Sequence, residues 1–260
     1  MPLPFGKSFH FAQRPGIKAT ITTANLTAVL SSTQLWYDLS SVGPTYSPQP
    51  SGSIVSGSSI TSVRDISGAN HNTNAASNLK YNTFRAGSLS AGDLTAGGYF
   101  NTNSTTSWLG NIAGMTVVVA CKPTVTGSLI YLANTDQGDL QIFYSASVWN
   151  VKCAGGTGVS GATFSNNTWQ IHSFVYDGTG ATNAQKLRYR YNKADQGLNI
   201  TGTITAKSNG SNDNYVWGAQ DTSALNPFKG YIGEVLLFNK ALTVTEVEAL
   251  ETYLGSKWGI

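Results

Sequence analysis

The amino-acid sequence predicts an all-β fold in which two antiparallel sheets stack as a jelly-roll sandwich. Short segments rich in β-branched and aromatic residues, such as 115–121, 129–133 and 170–177, are separated by turns rich in Gly, Asn and Ser. Clear helical periodicity occurs close to the C-terminus. Many short strands followed by one helix are typical of stacked antiparallel sheets. The predicted architecture is therefore a sandwich with one C-terminal helix and an extended N-terminal arm.

The C-terminal segment is the most clearly defined element of the sequence. Residues 231–238 read as a buried strand that is apolar on both faces except for Glu234. Thr243 and Glu246 then have the spacing of a capping box, in which each side chain accepts a hydrogen bond from the other's backbone N–H. The apolar stripe of the predicted helix consists of Val247, Leu250 and Leu254. Gly255 is expected to end the helix as its C-terminal cap.

Three segments of the chain together resemble a known family. The closing segment, within 230–260, reads G-Y-I-G-E-V-L-L-F-N, then A-L-T-V-T-E and Y-L-G-S-K-W-G-I. Upstream, L-W-Y-D at 35–38 precedes D-I-S-G-A-N at 65–70, and W-Q-I-H at 169–172 leads to Y-D-G at 176–178. This order resembles laminin-G-like domains of the concanavalin A-like lectin/glucanase superfamily. The resemblance implies the sandwich fold, but the superfamily contains lectins, hydrolases and structural modules.

The resemblance begins at residue 35, which divides the chain into a predicted arm, 1–34, and a jelly-roll domain, 35–260. The arm has several basic residues and no acidic one, and its prolines disfavour a regular helix. Within it, 23–30 reads as a helical turn. We predict that the arm docks on a partner protein, with a disordered tail as the alternative. The predicted docking residues are Phe5, Phe9, Phe11 and Arg14.

The composition limits the classes of partner. Charged residues make up 11% of the chain and the net charge is +3, which gives no reason to expect binding to nucleic acid. No apolar run is long enough to span a bilayer, so membrane insertion is not expected. The first residues, M-P-L-P-F-G, lack the apolar core of a signal peptide, so a standard secretory route is not expected either.

Cys121 and Cys153 lie in separate apolar segments. Free, buried thiols are the favoured interpretation, because a secreted domain that depends on disulfides usually contains more cysteines. A single disulfide between them is the alternative.

The carboxylates do not form the pattern that glycoside hydrolysis requires. Hydrolases of this superfamily carry acidic residues at alternate positions of one strand, which places them on one face. The four glutamates are Glu234, Glu246, Glu248 and Glu251. Three of them fall on the predicted helix, and Glu234 has no acidic residue two positions away. We therefore predict that the protein is not an enzyme and has no catalytic residues, and that Glu234 fixes a turn by accepting backbone N–H bonds.

The histidines also lack a catalytic pattern. His10, His71 and His172 are scattered and have no metalloprotease spacing. His172 alternates with its neighbours so that it shares a strand face with Phe174 and Tyr176. A histidine within the core is therefore favoured over a general base.

No cofactor is predicted, although calcium is left open because some relatives bind it through oxygen ligands. Two groups of residues could supply such ligands: Asp65, Ser67 and Asn70, and Asn134, Asp136 and Asp139. Both groups have few carboxylates for a tight site. Asx-type turns explain them without a metal, and this interpretation is favoured.

Sugar binding would need an exposed aromatic side chain beside polar donors and acceptors. Trp108 lies in a polar stretch that reads as a loop, and Asn134 and Asp136 lie at a predicted hairpin tip. These three residues are the candidate ligand-binding residues.

Three functional hypotheses follow. The first is a non-enzymatic structural protein of a virus particle, such as a bacteriophage capsid-decoration, tail or fibre component, located on the virion surface. Its arm would dock on a capsid or tail protein, and its lectin-like domain would bind surface glycans. The second hypothesis is a secreted carbohydrate-binding module, and the third, disfavoured by the carboxylates, is a glycoside hydrolase. Whether the chain forms homo-oligomers is left open.

Overall fold

The structure is a computed structural model with two large antiparallel sheets, a two-stranded ribbon and three helices among its described residues. The described residues are 23–40, 46–47, 56–83, 89–102, 109–124, 129–135, 140–146, 148–161, 163, 165–208 and 215–260. The predicted two-sheet antiparallel sandwich is confirmed.

The elements follow one another along the chain as short strands with few helices. The strands are β1 (Leu35–Asp38), β2 (Tyr46–Ser47), β3 (Ser62–Val63), β4 (Thr73–Ser77), β5 (Lys80–Thr83), β6 (Ser90–Asp93), β7 (Tyr99–Thr102), β8 (Gly114–Pro123), β9 (Leu129–Thr135), β10 (Leu140–Ser145), β11 (Val148–Cys153), β12 (Gly156–Ser160), β13 (Gln170–Asp177), β14 (Leu187–Tyr191), β15 (Ala194–Gln196), β16 (Leu198–Thr201), β17 (Tyr215–Trp217) and β18 (Gly230–Phe238). The helices are α1 (Thr23–Leu30), α2 (Asn183–Lys186) and α3 (Val244–Trp258).

Each large sheet contains eight strands. The first sheet has the order β15-β14-β13-β8-β18-β6-β5, and β1 also pairs with β18. The second sheet has the order β16-β12-β11-β10-β9-β17-β7-β4. Strands β2 and β3 form the ribbon. Strands β6 and β1 share one edge of β18, because β6 pairs with its beginning and β1 with its second half.

The first sheet is buried on both faces. Along β8, Val117 and Val119 belong to the core between the sheets, whereas Val118 and Ala120 belong to a second apolar cluster under α3. This explains why β8 and β18 read as continuous apolar runs, since a strand covered on both faces has no exposed side. Along β10 of the second sheet, buried and partly exposed residues alternate, so one face of this sheet points away from the core.

Helix α3 begins as predicted but ends later. Thr243 is its N-cap, and the capping box with Glu246 is present. The predicted cap at Gly255 is wrong: the helix continues to Trp258, and Gly259 takes the left-handed conformation at φ 76°. Trp258 is 5% exposed and packs in the same cluster as Leu254, so burial of one more turn extends the helix. A Cβ at Gly255 would meet the end of the flexible Lys193 side chain and would lie 2.9 Å from the backbone oxygen of Ile260.

The described residues also contain two shorter helices. The turn predicted at 23–30 is α1, where Val29 is 4% exposed and packs in the cluster under α3. The last part of the predicted arm therefore packs on the sandwich. Helix α2 has a capping box between Thr182 and Gln185, but its four residues are too few for periodicity to reveal it.

Both cysteines are buried thiols that form no disulfide, as favoured by the sequence. Cys121 lies on β8 of the first sheet and Cys153 on β11 of the second. Burial raises the pKa of the Cys121 thiol, which makes it unreactive at neutral pH. No helix of the described residues is long and apolar enough to cross a membrane.

Candidate functional site

Of the candidate ligand-binding residues, Asn134 is described by the structure. It lies on β9 in the second sheet. Trp108 and Asp136 lie outside the described residues, as do the predicted docking residues Phe5, Phe9, Phe11 and Arg14. The surroundings of Asn134 are therefore the starting point for a site.

A row of polar side chains crosses the second sheet at the level of Asn134. The strand register places Asn134 opposite Gln141, Gln141 opposite Lys152, and Lys152 opposite Thr157. Thr201 continues the row on β16, where it is opposite Thr157. Gln141, Lys152 and Thr157 are partly exposed between buried neighbours, and Thr201 is exposed, so these four face outward; Asn134, at the end of the row, is buried. We call Asn134, Gln141, Lys152, Thr157 and Thr201 the polar row.

A second row runs beside the polar row, two residues away on four of the strands and three residues away on β9, where the register shifts. Its members are Tyr131, Phe143, Asn150, Val159 and Asn199. The rings of Tyr131 and Phe143 are stacked, with centroids 5.2 Å apart and planes at 21°. We call these five residues the aromatic row. The outer face of the second sheet thus combines hydrogen-bonding groups with an adjacent aromatic surface.

Asn134 is held in place from one side. It is 3% exposed, and its amide Nδ2 donates to the backbone oxygen of Gln220. Its Oδ1 atom is buried and accepts no hydrogen bond from the described residues. A buried acceptor without a donor is unfavourable, and a ligand could reach this oxygen only if the neighbouring side chains moved.

The loop between β17 and β18 borders the row at Asn134. Within it, Gln220 N donates to Leu225 O at 2.9 Å, and Asp221 Oδ1 accepts from Leu225 N at 3.2 Å. Tyr131 N donates to Asn226 O at 3.0 Å, which ties the loop to β9. Leu225 is 51% exposed. Backbone hydrogen bonds therefore fix the loop to β9, and the loop carries one exposed apolar side chain.

Glu234 does not fix a turn, which corrects the prediction from the sequence. Its carboxylate instead accepts from three side chains: Trp36 Nε1 at 2.8 Å, Tyr253 OH at 3.0 Å and Lys257 Nζ at 2.6 Å. Asp38 is opposite Glu234 in the β1–β18 register and also pairs with Lys257, at 2.9 Å. We call Trp36, Asp38, Glu234, Tyr253 and Lys257 the charged cluster. The sequence rule missed Asp38 because this second carboxylate comes from a neighbouring strand.

Burial determines the electrostatics of the charged cluster. It raises the pKa of Glu234 to about 7, and the charge of Asp38 adds to this rise while Lys257 opposes it. Burial alone would lower the pKa of Lys257, but Glu234 and Asp38 together raise it above its ordinary value. Glu234 is 0% exposed, so a glycosidic bond has no access to its carboxylate in this structure. The arrangement holds α3 against the first sheet.

His172 lies in the core, as favoured by the sequence. It is 0% exposed, its Nδ1 is 2.7 Å from Tyr189 OH, and its ring packs against Trp149 with centroids 4.3 Å apart. Burial lowers its pKa to about 3, so the ring is neutral at physiological pH. A general base acting on an external substrate is not compatible with this position.

Asp65 uses its carboxylate for the turn that the sequence favoured over calcium. Its Oδ1 accepts from Trp36 N and Ser67 N, both at 2.9 Å, and its Oδ2 accepts from His71 N at 2.9 Å. These three backbone donors occupy most of the lone-pair positions of the Asp65 carboxylate that a cation would need. Within the described ranges, no group of three or more His, Cys, Asp and Glu residues could hold a metal ion.

Comparisons with known proteins identify the fold. No protein-family model matches the chain, and no curated protein matches it. Among solved structures, domain 4 of an extracellular GH43 arabinanase from Geobacillus stearothermophilus, in complex with arabinotriose, has a TM-score of 0.53 and 15% identity. The match covers 85% of this chain and 98% of that domain.

Two toxin binding domains are similar as well. The ligand-binding domain of botulinum neurotoxin serotype D, in complex with N-acetylneuraminic acid, has a TM-score of 0.57 and 11% identity over 88% of this chain. The binding domain of Paraclostridial Mosquitocidal Protein 1 has a TM-score of 0.53 and 14% identity over 77% of this chain. The matches cover 52% of each toxin structure. At these identities the likenesses show the fold, a lectin-like β-sandwich, and laminin-G-like membership stays a prediction.

Proposed function

We propose that this protein is a carbohydrate-binding domain whose ligand lies on the outer face of the second sheet. The observation that carries the proposal is the polar row beside the aromatic row. Neighbouring strands are about 4.8 Å apart, so each strand contributes one side chain at regular intervals across the face. An oligosaccharide matches this pattern, because its hydroxyl groups need donors and acceptors and its C–H surfaces need an apolar contact.

Two of the similar structures support the proposal because each contains a bound sugar. The arabinanase domain is in complex with arabinotriose, and the neurotoxin domain is in complex with N-acetylneuraminic acid. The fold they share with this chain is therefore one on which sugar binding occurs. The polar and aromatic rows are the reason for assigning this function here, since a fold alone does not specify an activity.

Replacing Phe143 with Ala is expected to weaken binding about tenfold, because it removes the most accessible ring of the aromatic row. Binding would be measured by calorimetry with whichever oligosaccharide gives the strongest signal on an array containing arabinotriose and N-acetylneuraminyl-lactose. Gln141→Ala removes a polar-row side chain that is only partly buried, and should weaken binding without loss of stability.

Val244→Ala is the matched control, because Val244 is 44% exposed on α3 and far from the second sheet. It should bind like the unmodified protein. The proposal is wrong if the unmodified protein binds no sugar at millimolar concentration. It is also wrong if both second-sheet variants bind with unchanged affinity while thermal unfolding shows them to be folded.

The proposed function does not include hydrolysis. Purified protein is expected to release no reducing sugar from β-glucans, alginate or agarose, because the carboxylate pair of Asp38 and Glu234 is covered by α3. A colorimetric assay for reducing ends measures this. Release of sugar that disappears in Glu234→Gln would contradict the proposal and favour a glycoside hydrolase.

The more specific role, a virion surface protein that displays this domain, is also proposed. It rests on the composition of the segment that precedes α1, with its phenylalanines, its basic residues and no acidic residue. Aromatic anchors dominate many docking interfaces, and basic side chains suit an acidic partner surface. A capsid or tail protein is the proposed partner.

Deleting residues 1–22 is expected to abolish incorporation into the particle while leaving the thermal midpoint nearly unchanged. The deletion stops before α1 because Val29 is buried on the domain. Incorporation would be measured by sedimentation with purified particles, and a variant in which Phe5, Phe9 and Phe11 are changed to Ser tests the anchors separately. Normal incorporation of the truncated protein would exclude docking through this segment.

A further inference from the structure

The strands of the second sheet contain a single charged residue, Lys152. Their sequences are TNAAS, YFNT, LIYLANT, LQIFYS, VWNVKC, GTGVS, LNIT and YVW. The first sheet differs, since it carries Asp38, Arg190 and Glu234 in buried ion pairs. The polar row on the outer face of the second sheet is therefore neutral except for the positive charge of Lys152.

Lys152 lies in the middle of the polar row. It is half-buried, and Gln141 and Thr157 are its direct neighbours on either side. The ion pairs among the described residues involve Arg190, Lys240 and Lys257 but not Lys152. Lys152 therefore places an ammonium group on this face with no carboxylate partner among the described residues, and an anionic group of a ligand would supply one.

The position of Phe143 relative to Lys152 defines the shape of a ligand. Phe143 is opposite Asn150, two residues from Lys152 on the same strand. Such diagonal neighbours are about 7–8 Å apart on one face of an antiparallel pair. This separation suits a single sugar ring that contacts the aromatic side chain and extends a ring substituent to the ammonium group.

We propose that the site binds an acidic sugar, with a carboxylate of the ligand paired to Lys152 and its ring against Phe143. This inference rests on the proposed function and specifies its ligand class. A charge-assisted hydrogen bond from Nζ satisfies the ammonium group, and Gln141 and Thr157 can bind the hydroxyl groups on either side. The expected ligands are glycans that contain uronic or sialic acid residues.

Paired ligands that differ only in charge test the inference. Calorimetry at low salt would compare trigalacturonate and sialyllactose, each with its own carboxyl-reduced counterpart. The unmodified protein should bind at least one acidic ligand about tenfold more tightly than its neutral partner. This preference should decrease with added salt, because ions screen the interaction.

Three variants separate the contributions. Lys152→Gln should remove the preference for the acidic ligand and leave binding of the neutral ligand unchanged. Phe143→Ala should weaken binding of both ligands by a similar factor. Lys80→Gln, at an exposed position on β5 of the first sheet, changes the net charge equally and should have no effect.

The outcomes distinguish the inference from the function on which it rests. If Lys152→Gln keeps the full acidic preference, or if neutral ligands bind as well as acidic ones, the inference is wrong and sugar binding stands. If none of the ligands on the array or in these pairs binds, both are wrong.

Discussion

Replacing Lys257 with Met is expected to lower the free energy of unfolding by about 3–5 kcal/mol near pH 8, because it leaves the buried carboxylate of Glu234 and the half-buried carboxylate of Asp38 without a counter-charge. Lys257 Nζ lies 2.6 Å from Glu234 Oε2 and 2.9 Å from Asp38 Oδ2. Methionine retains an apolar stem of similar length, but it also loses the cation–π contacts of the ammonium group with the Tyr253 and Trp258 rings. Urea unfolding followed by tryptophan fluorescence measures the loss.

The pH dependence identifies the cause of that loss. Lys257 opposes the rise in the Glu234 pKa to about 7, so its removal raises this pKa further above the ordinary value of 4.5. A carboxyl group with a raised folded-state pKa stabilises the fold when protonated, and this contribution is lost as the pH rises through the folded-state pKa. The variant should therefore regain much of its stability as the pH falls from about 8 to about 5.

Lys240→Met is the control for the loss of a charge from an exposed pair. Lys240 lies 3.3 Å from Glu246, with the two side chains 44% and 29% exposed. An exposed pair contributes about 0–1 kcal/mol, so this variant should lose far less stability. Equal losses in the two variants, or a loss for Lys257→Met that is independent of pH, would show that the charged cluster does not stabilise the domain as argued.

The charged cluster explains why the sequence predicted the fold better than the function. Its members come from the segments that resemble the laminin-G-like family: L-W-Y-D supplies Trp36 and Asp38, the closing strand supplies Glu234, and the last helix supplies Tyr253 and Lys257. These residues join α3 to the first sheet, and the carboxylate at their centre, Glu234, is 0% exposed. A motif made of such residues carries information about folding and none about binding.

Local patterns were predicted where the interaction itself is local. Thr243 and Glu246 are three residues apart, and their capping box formed as expected because the hydrogen bonds depend on that spacing. His172 was assigned to the core from simple alternation along β13. The end of α3 was missed because burial of Trp258, a tertiary contact, overrides the local preference of Gly255 for a cap.

The candidate site could not be predicted from the sequence because it depends on register. Alternation along β10 shows that Gln141 and Phe143 face outward together. That Gln141 is next to Asn134 and Lys152 depends on three strands being paired at one register, and a shift between Ile142 and Phe143 interrupts it. A single-residue change in pairing would turn these side chains to the opposite face. Of the predicted ligand residues, Asn134 alone falls on the described site.

The two sheets therefore have different roles in the argument for function. The outer face of the first sheet is covered by α3, whose apolar side packs on Val118, Leu236 and Phe238. The outer face of the second sheet carries the polar and aromatic rows. If α3 did not pack tightly, the apolar outer face of the first sheet would be exposed to solvent, and a large apolar patch would compete as a binding surface. The packing of α3 is thus a test of the assignment.

Leu250→Ala is expected to lower the free energy of unfolding by about 2–5 kcal/mol, because it removes a fully buried side chain and leaves a cavity. Leu250 is 0% exposed and belongs to the cluster that includes Val247, Leu254 and Trp258. Chemical unfolding measures the loss. Val244→Ala on the same helix is the control, since Val244 is 44% exposed and its truncation should change stability by less than about 0.5 kcal/mol. A loss for Leu250→Ala as small as that of the control would mean that the apolar stripe of α3 does not pack on the first sheet. The first sheet would then be as open to ligands as the second, and the polar row would no longer be the favoured site.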